Sequence, residues 1–144
     1  MSLLTDKFFY NALTSSQDVM DMVDDRIFNP ARSTVDEMED KIPYLVVTFD
    51  GLQNDLETKD EGVEGDEDKV TVGILCVAGD CDSLGALTEL VRETCAAYWD
   101  THRSDKLTPI DWAFSASSVL YDADKPCCVQ QLIYQCDTHK DVND

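Results

Sequence analysis

The stretch from Lys69 to Tyr98 constrains the fold more than any other part of the chain. Between residues 69 and 78 apolar side chains alternate: Val70, Val72, Ile74 and Cys76 fall on one face, and Thr71, Gly73, Leu75 and Val77 on the other. That period of two is a strand. Gly79-Asp80-Cys81-Asp82-Ser83 then turns the chain and caps a helix. From about 83 to 100 the period lengthens. Leu84, Leu87, Val91 and Tyr98 form an apolar stripe with Leu90 and Cys95 beside it, while Glu89, Arg92, Glu93 and Asp100 face water. A helix of this length covers one face of a sheet.

The flanking segments supply the rest of such a sheet. Phe8, Phe9, Ala12 and Leu13 predict a helix over residues 5–13. Ser15, with Asp18 three residues on, predicts the cap of a second short helix carrying Val19, Met20, Met22 and Val23 and ending near Asp24-Asp25. Arg26-Ile27-Phe28 is a short extended piece stopped by Asn29-Pro30, and residues 31–41 read as an acidic loop. Ile42 to Phe49 is rich in β-branched and aromatic residues and predicts a strand, with Asp50-Gly51 opening the following loop. Two more strands are expected at Ile110 to Tyr121 and Cys127 to Cys136, joined by the turn-rich 122–126 link as a hairpin. The expected fold class is α+β: a mainly antiparallel sheet, an N-terminal helix pair, and one long helix packed on one face.

With 144 residues the chain fits one domain over 1–144. A domain of that size buries about 70% of its unfolded surface and needs no disulfide or metal to hold its core. Two segments stand apart: an acidic connection at 52–68, expected to be flexible, and a polar tail at 138–144, expected to be frayed. No basic, apolar leader opens the chain and no apolar run reaches membrane-span length, so a soluble protein made in a cytoplasm is expected.

Charge narrows the function classes. There are 30 acidic residues against 11 basic ones, a formal net charge of −19. Such a surface repels nucleic acid and anionic lipid. Arg26, Arg32, Arg92 and Arg103 are scattered in sequence and predict no compensating basic patch. The six cysteines contain no CxxC, and neither His102 nor His139 lies near a cysteine pair. Free, mostly buried thiols are the expectation, and no metal or other cofactor is expected. Cys81, just before a helix start, is the one thiol a helix dipole could activate, but acids surround it and no histidine is near in sequence. No GxSxG, GxGxxG or P-loop pattern occurs, and no enzymatic activity is expected.

Two features point to interaction. The acidic run Asp60, Glu61, Glu64, Asp66, Glu67 and Asp68 lacks EF-hand spacing; its plain reading is a solvated segment, its sharper one a site for Ca²⁺ or a basic protein. Trp112 and Tyr121 fall at strand ends, where aromatics serve equally as core or as interface anchors.

Asp24-Asp25-Arg26-Ile27-Phe28 after a helix pair resembles the GDRIY-type opening of the tail-terminator (tail-completion) proteins of long-tailed bacteriophages, a family that includes prophage-encoded members. Ile42-Pro43-Tyr44-Leu45-Val46-Val47 is similar to that family's xPYIVY strand. The stretches Asp68 to Ile74 and Ser83 to Arg92 are similar to its strand-then-helix segment. The resemblance spans about residues 5–136. It implies a homo-oligomeric ring, commonly a hexamer, that caps the tail tube, joins it to the head connector and lets DNA pass through its lumen. An acidic wall suits that passage. It also implies assembly in the cytoplasm, residence in the virion tail, tail-tube and head-connector proteins as partners, and no catalytic residues. The chain departs from the pattern in its long acidic segment, its many cysteines, and Asp24 where the family usually has Gly.

Overall fold

Every ladder of the main sheet but the short one between its first two strands is built on β5 (Glu67–Ala78) or on its neighbour β8 (Cys127–His139). The computed structural model describes residues 2–32, 41–54, 56–58, 63–64 and 67–139. A 3-10 turn at Ser2–Leu4 leads into α1 (Thr5–Thr14) and α2 (Gln17–Val23), followed by β1 (Ile27–Phe28) and β2 (Tyr44–Gln53). A small ribbon, β3 (Leu56–Thr58) and β4 (Val63–Glu64), precedes β5. Then come α3 (Cys81–Thr101), β6 (Asp111–Ala116), β7 (Leu120–Asp122) and β8. The main sheet runs β1-β2-β5-β8-β6, with β7 also on β8; β1 and β2 are parallel and the other pairs antiparallel. This is the expected α+β arrangement.

The alternation read from the sequence decides which face carries the helices. Register aligns Leu45, Cys76 and Gln130 in one row. The next rows are Val47, Ile74, Leu132 and Ala116, then Phe49, Val72, Tyr134 and Phe114, then Leu52, Val70, Cys136 and Trp112. Most of these side chains are buried, in one cluster with Phe8, Phe9, Leu13, Leu84, Leu87, Val91 and Cys95 from the helices. β5 and β6 both run antiparallel to β8, so α3 is the crossover between two mutually parallel strands and lies against β5 and β8. Phe9 rests on Tyr134 with ring centroids 4.7 Å apart. The Tyr134 hydroxyl is buried with no nitrogen or oxygen partner among the described residues, and burial drives its pKa up.

Several boundaries differ from the sequence reading. The cap of α2 is Ser16, whose side chain accepts from the Val19 N–H; Ser15 instead closes α1. The strand expected to stop at Phe49 runs on to Gln53 because Asp50 bulges out of the ladder, and Gly51, at φ 150°, restores the pairing. The acidic connection 52–68 is correspondingly shorter than expected: Leu52 and Gln53 belong to β2, Glu67 and Asp68 to β5, and β3 and β4 pair between them. The expected strand 110–121 is two strands, since residues 117–119 stand opposite only Gln130 and Gln131. The Ser117 hydroxyl accepts from the Gln131 N–H across this bulge. Thr138 and His139, expected in a frayed tail, close β8, and Ser2 Oγ lies 2.6 Å from Thr138 Oγ1 and donates to the His139 carbonyl. Residues 140–144, and 33–40 of the acidic loop, lie outside the described residues.

An ion pair between buried Asp6 and exposed Arg32 anchors the chain where it enters the sheet. Asp6, fully buried on α1, accepts from Arg32 Nη2 at 2.6 Å, from Arg32 Nε at 3.1 Å and from Asn29 Nδ2 at 3.0 Å. The hydrogen bond to Asp6 raises the pKa of Arg32. The segment after β1 is thereby pinned to the first helix. Just before β1, Asp24 (φ 51°) and Asp25 (φ 64°) are both left-handed. Asp24 ends α2 in the position where glycine is favoured, which gives a conformational reason for Gly at that place in the resembling family. It also puts a negative charge at the negative end of a helix. Asp24→Gly is expected to raise stability by about 1 kcal/mol, read as a higher urea midpoint at unchanged m-value; a lower midpoint would show that the exposed Asp24–Arg26 contact matters more than the backbone.

Candidate interaction surface

The sheet face opposite the helices carries no covering element among the described residues. Its rows follow from the same register. At one end Tyr44, Val77, Val129 and Leu120 stand side by side across four strands. The next row is Val46, Leu75 and Gln131, with Phe28 of β1 beside Val46. Then come Thr48, Gly73, Ile133 and Ser115, and Gly51, Thr71, Gln135 and Ala113. The last row is Gln53, Lys69, Asp137 and Asp111. The face therefore grades from apolar at one end to charged at the other.

The middle of this gradient is held by a polar bridge. Because Asp50 is the bulged residue, its carboxylate is free to fold back over the sheet: it accepts from Thr48 Oγ1 at 2.8 Å and from Gln131 Nε2 at 3.4 Å. The bridge lies directly above Gly73, where an added Cβ would sit 2.5 Å from Asp50 Oδ2, 2.6 Å from Gln131 Nε2 and 2.8 Å from Thr48 Oγ1. Only glycine leaves it room.

The apolar end is bordered by the most exposed apolar side chains of the sheet. Leu120 is 65% exposed and Tyr121 63%. Val119 and Ile42 are also exposed. Ile42, Tyr44, Val77, Val129 and Pro126 line a shallow groove of about 480 Å³ there, with Asp122 and Lys125 at its rim. β6 and β7 form one edge of the sheet, and neither has a strand on its outer side among the described residues. At the opposite edge β1 covers β2 only at Leu45 and Val46. Two edges without an outer strand among the described residues, and an apolar corner where Val77 is buried but Leu120 is exposed, make a surface suited to another chain.

The residues singled out from the sequence separate here. Tyr121 is exposed beside this corner, but it stands opposite Cys128 and so lies on the other face from Leu120. Trp112 points to the helix side, half-buried, with its ring centroid 5.4 Å from that of Tyr134 and 6.2 Å from that of Trp99. It packs against the core from the sheet. The acidic run does not converge on one site in what is described. Glu67 is exposed, while Asp68 is buried and accepts from Asn54 Nδ2 at 2.8 Å. Glu64 pairs within the ribbon, and Asp60, Glu61 and Asp66 lie outside the described residues. Among the described residues no group of three or more His, Cys, Asp or Glu side chains is placed to hold a metal ion. Leu120 was missed by the sequence reading; its signal, an apolar residue next to the turn at 122–126, is no different from that of a core strand end.

The remaining chemical candidates are structural. His102 caps the C-terminal end of α3, its Nδ1 2.9 Å from the Tyr98 carbonyl and its ring stacked on Tyr98. Cys81 opens the same 21-residue helix, so the two lie about 30 Å apart and form no dyad. Asp80 caps α3 by accepting from the Ser83 N–H at 2.7 Å, which lowers its pKa. Burial pushes the Cys76, Cys95 and Cys136 thiols up to about 12. All four arginines have partners inside the chain: Arg26 with Asp24, Arg32 with Asp6, Arg92 over Phe114, and Arg103 over Trp99 and beside Asp100. No described helix is long and apolar enough to cross a membrane.

No protein-family model matches the chain, and no curated protein sequence matches it. A chain from the virion of a native gene transfer agent (GTA) particle shares its fold, with a TM-score of 0.62 over 94% of both chains at 9% sequence identity. At that identity the likeness is one of fold.

Gly73→Ala is expected to open the Asp50 bridge and cost about 1 kcal/mol, with the helix content unchanged by circular dichroism. A variant as stable as the parent would mean that the bridge shifts freely and holds nothing in place.

Proposed function

We propose that this chain is a virion-assembly protein of the tail-terminator type, which associates with copies of itself into a ring, caps a tail tube and joins it to a head connector. The observation that carries the reading is the end-to-end likeness of fold to a chain of a GTA virion particle. The segments that resemble the tail-terminator family support it. Asp24 to Phe28 is a left-handed helix stop running into β1, Pro43 to Val47 leads into and opens β2, Asp68 to Ile74 lies in β5, and Ser83 to Arg92 is the first half of α3.

The chemistry of the surface fits assembly. A subunit that uses its free edge and bare corner on a different patch of the next copy makes a head-to-tail contact, and such contacts close into rings. The role needs no cofactor and no catalytic residue. A net charge of −19 per copy opposes association at low salt and suits a lumen through which DNA passes without sticking. Assembly in the cytoplasm and residence in the virion tail belong to the same proposal.

Native mass spectrometry combined with negative-stain microscopy tests it. At about 0.15 M salt, where exposed charges are screened beyond roughly 8 Å, a closed ring, six-fold in the resembling family, is expected as concentration rises. Leu120→Glu is expected to weaken assembly by roughly tenfold or more while leaving the monomer folded. A chain that stays monomeric at every concentration and salt, and that binds Ca²⁺ stoichiometrically through the 54–68 segment, would replace this reading with that of a small acidic binding module.

A further inference from the structure

Cys81 and Cys128 bring their sulfur atoms to 2.8 Å, closer than two unbonded sulfurs normally rest. The approach follows from the fold. β5 ends at Ala78, opposite Cys128 in the ladder, and the chain then turns through Gly79 and Asp80 so that the first residue of α3 returns over the same β8 residue. Side chains alternate along β8, so Cys128 lies on the helix side with Ala78 while its neighbour Cys127 lies on the other face, opposite Asp122. Cys81 is exposed and Cys128 is buried.

We propose that Cys81 and Cys128 form a reversible intrachain disulfide that fastens the first turn of α3 to β8. The inference stands on this geometry alone and is independent of the assembly role. The oxidant is a low-molecular-weight disulfide such as glutathione disulfide. The Cys81 thiolate attacks one sulfur of the oxidant; that S–S bond breaks, one glutathione thiolate leaves and takes up a proton, and Cys81 is held as a mixed disulfide. The Cys128 sulfur then gives up its proton and attacks Cys81 Sγ, displacing the second glutathione as its thiol. The protein loses two electrons and two hydrogens, and the oxidant gains both. Accessibility sets this order. The hydrogen bond with Cys81 and then burial push the Cys128 thiol up to about 11, which makes it the slower nucleophile and the resolving partner. The remaining buried thiols have no such exposed partner. A reducing cytoplasm keeps the pair open, and an oxidising medium closes it.

The bond would close a loop between residues 47 apart, containing α3, β6 and β7. Cross-links over long loops stabilise most by limiting the unfolded chain.

The full chain, reduced and desalted, is equilibrated in glutathione buffers of graded redox poise, quenched in acid, alkylated and analysed by intact mass and peptide mapping. The expected product lacks two hydrogens, yields a cross-linked peptide containing Cys81 and Cys128, and melts roughly 10 °C higher than the dithiol form, reversibly on adding reductant. Cys127→Ser is expected to keep this behaviour. Cys81→Ser, at an exposed position where folding is unaffected, is expected to abolish it. A glutathione adduct on Cys81 that never closes, a bond through Cys127, or a cross-link found only between two chains would each overturn the assignment.

Discussion

The two ladders of β5 are the constraint on which the rest of the structure depends. β5 pairs with β2 over nearly its whole length on one side and with β8 on the other, so its register sets which residues of three strands share a face. A slip of one residue would turn Val70, Val72, Ile74 and Cys76 away from the helices. With the register as it stands, those four side chains meet α1 and α3. The crossover from β5 to β6 then carries α3 over β8 on that same side. Among the described residues no helix or strand packs over the other face, and its gradient from Tyr44, Val77, Val129 and Leu120 to Lys69, Asp111 and Asp137 is a consequence of the same pairing.

Strong periodicity made the core legible. The strand at 69–78, the helix at 83–100 and the helix at 5–13 follow from where their apolar residues fall, and their burial agrees. What escaped the sequence was irregularity. Asp50-Gly51 has turn chemistry, but neighbouring strand pairs absorb it as a bulge. Ser117 to Val119 breaks a strand because three residues face two, which depends on a partner far away in sequence. Thr138 looks like a polar tail and is buried because Ser2, at the other end of the chain, meets it. Trp112 and Tyr121 show the same limit. Both are aromatic residues near strand ends that the register puts on the helix-side face, opposite Cys136 and Cys128, and only the reach of the helices leaves one half-buried and the other exposed.

The functional reading rests on what the fold leaves unpaired rather than on a reactive centre. The titratable groups whose ionisation is displaced are tied to structure: Asp80 to a helix cap, Arg32 to Asp6, and the buried thiols to the core. The arginines are spent within the chain, which leaves the acids to dominate the exterior. In the proposed assembly role such a subunit would contribute shape, edges and charge. What it shares with a chain of a GTA virion particle is its fold.

Hydrogen–deuterium exchange of the chain at low and high concentration tests most directly whether the bare corner and free edge are where copies meet. The account predicts that protection rises with concentration in residues 119–121 and along β6, while the helix-covered core exchanges equally slowly in both samples. Oligomers that form without any change at 119–121 and β6 would contradict it.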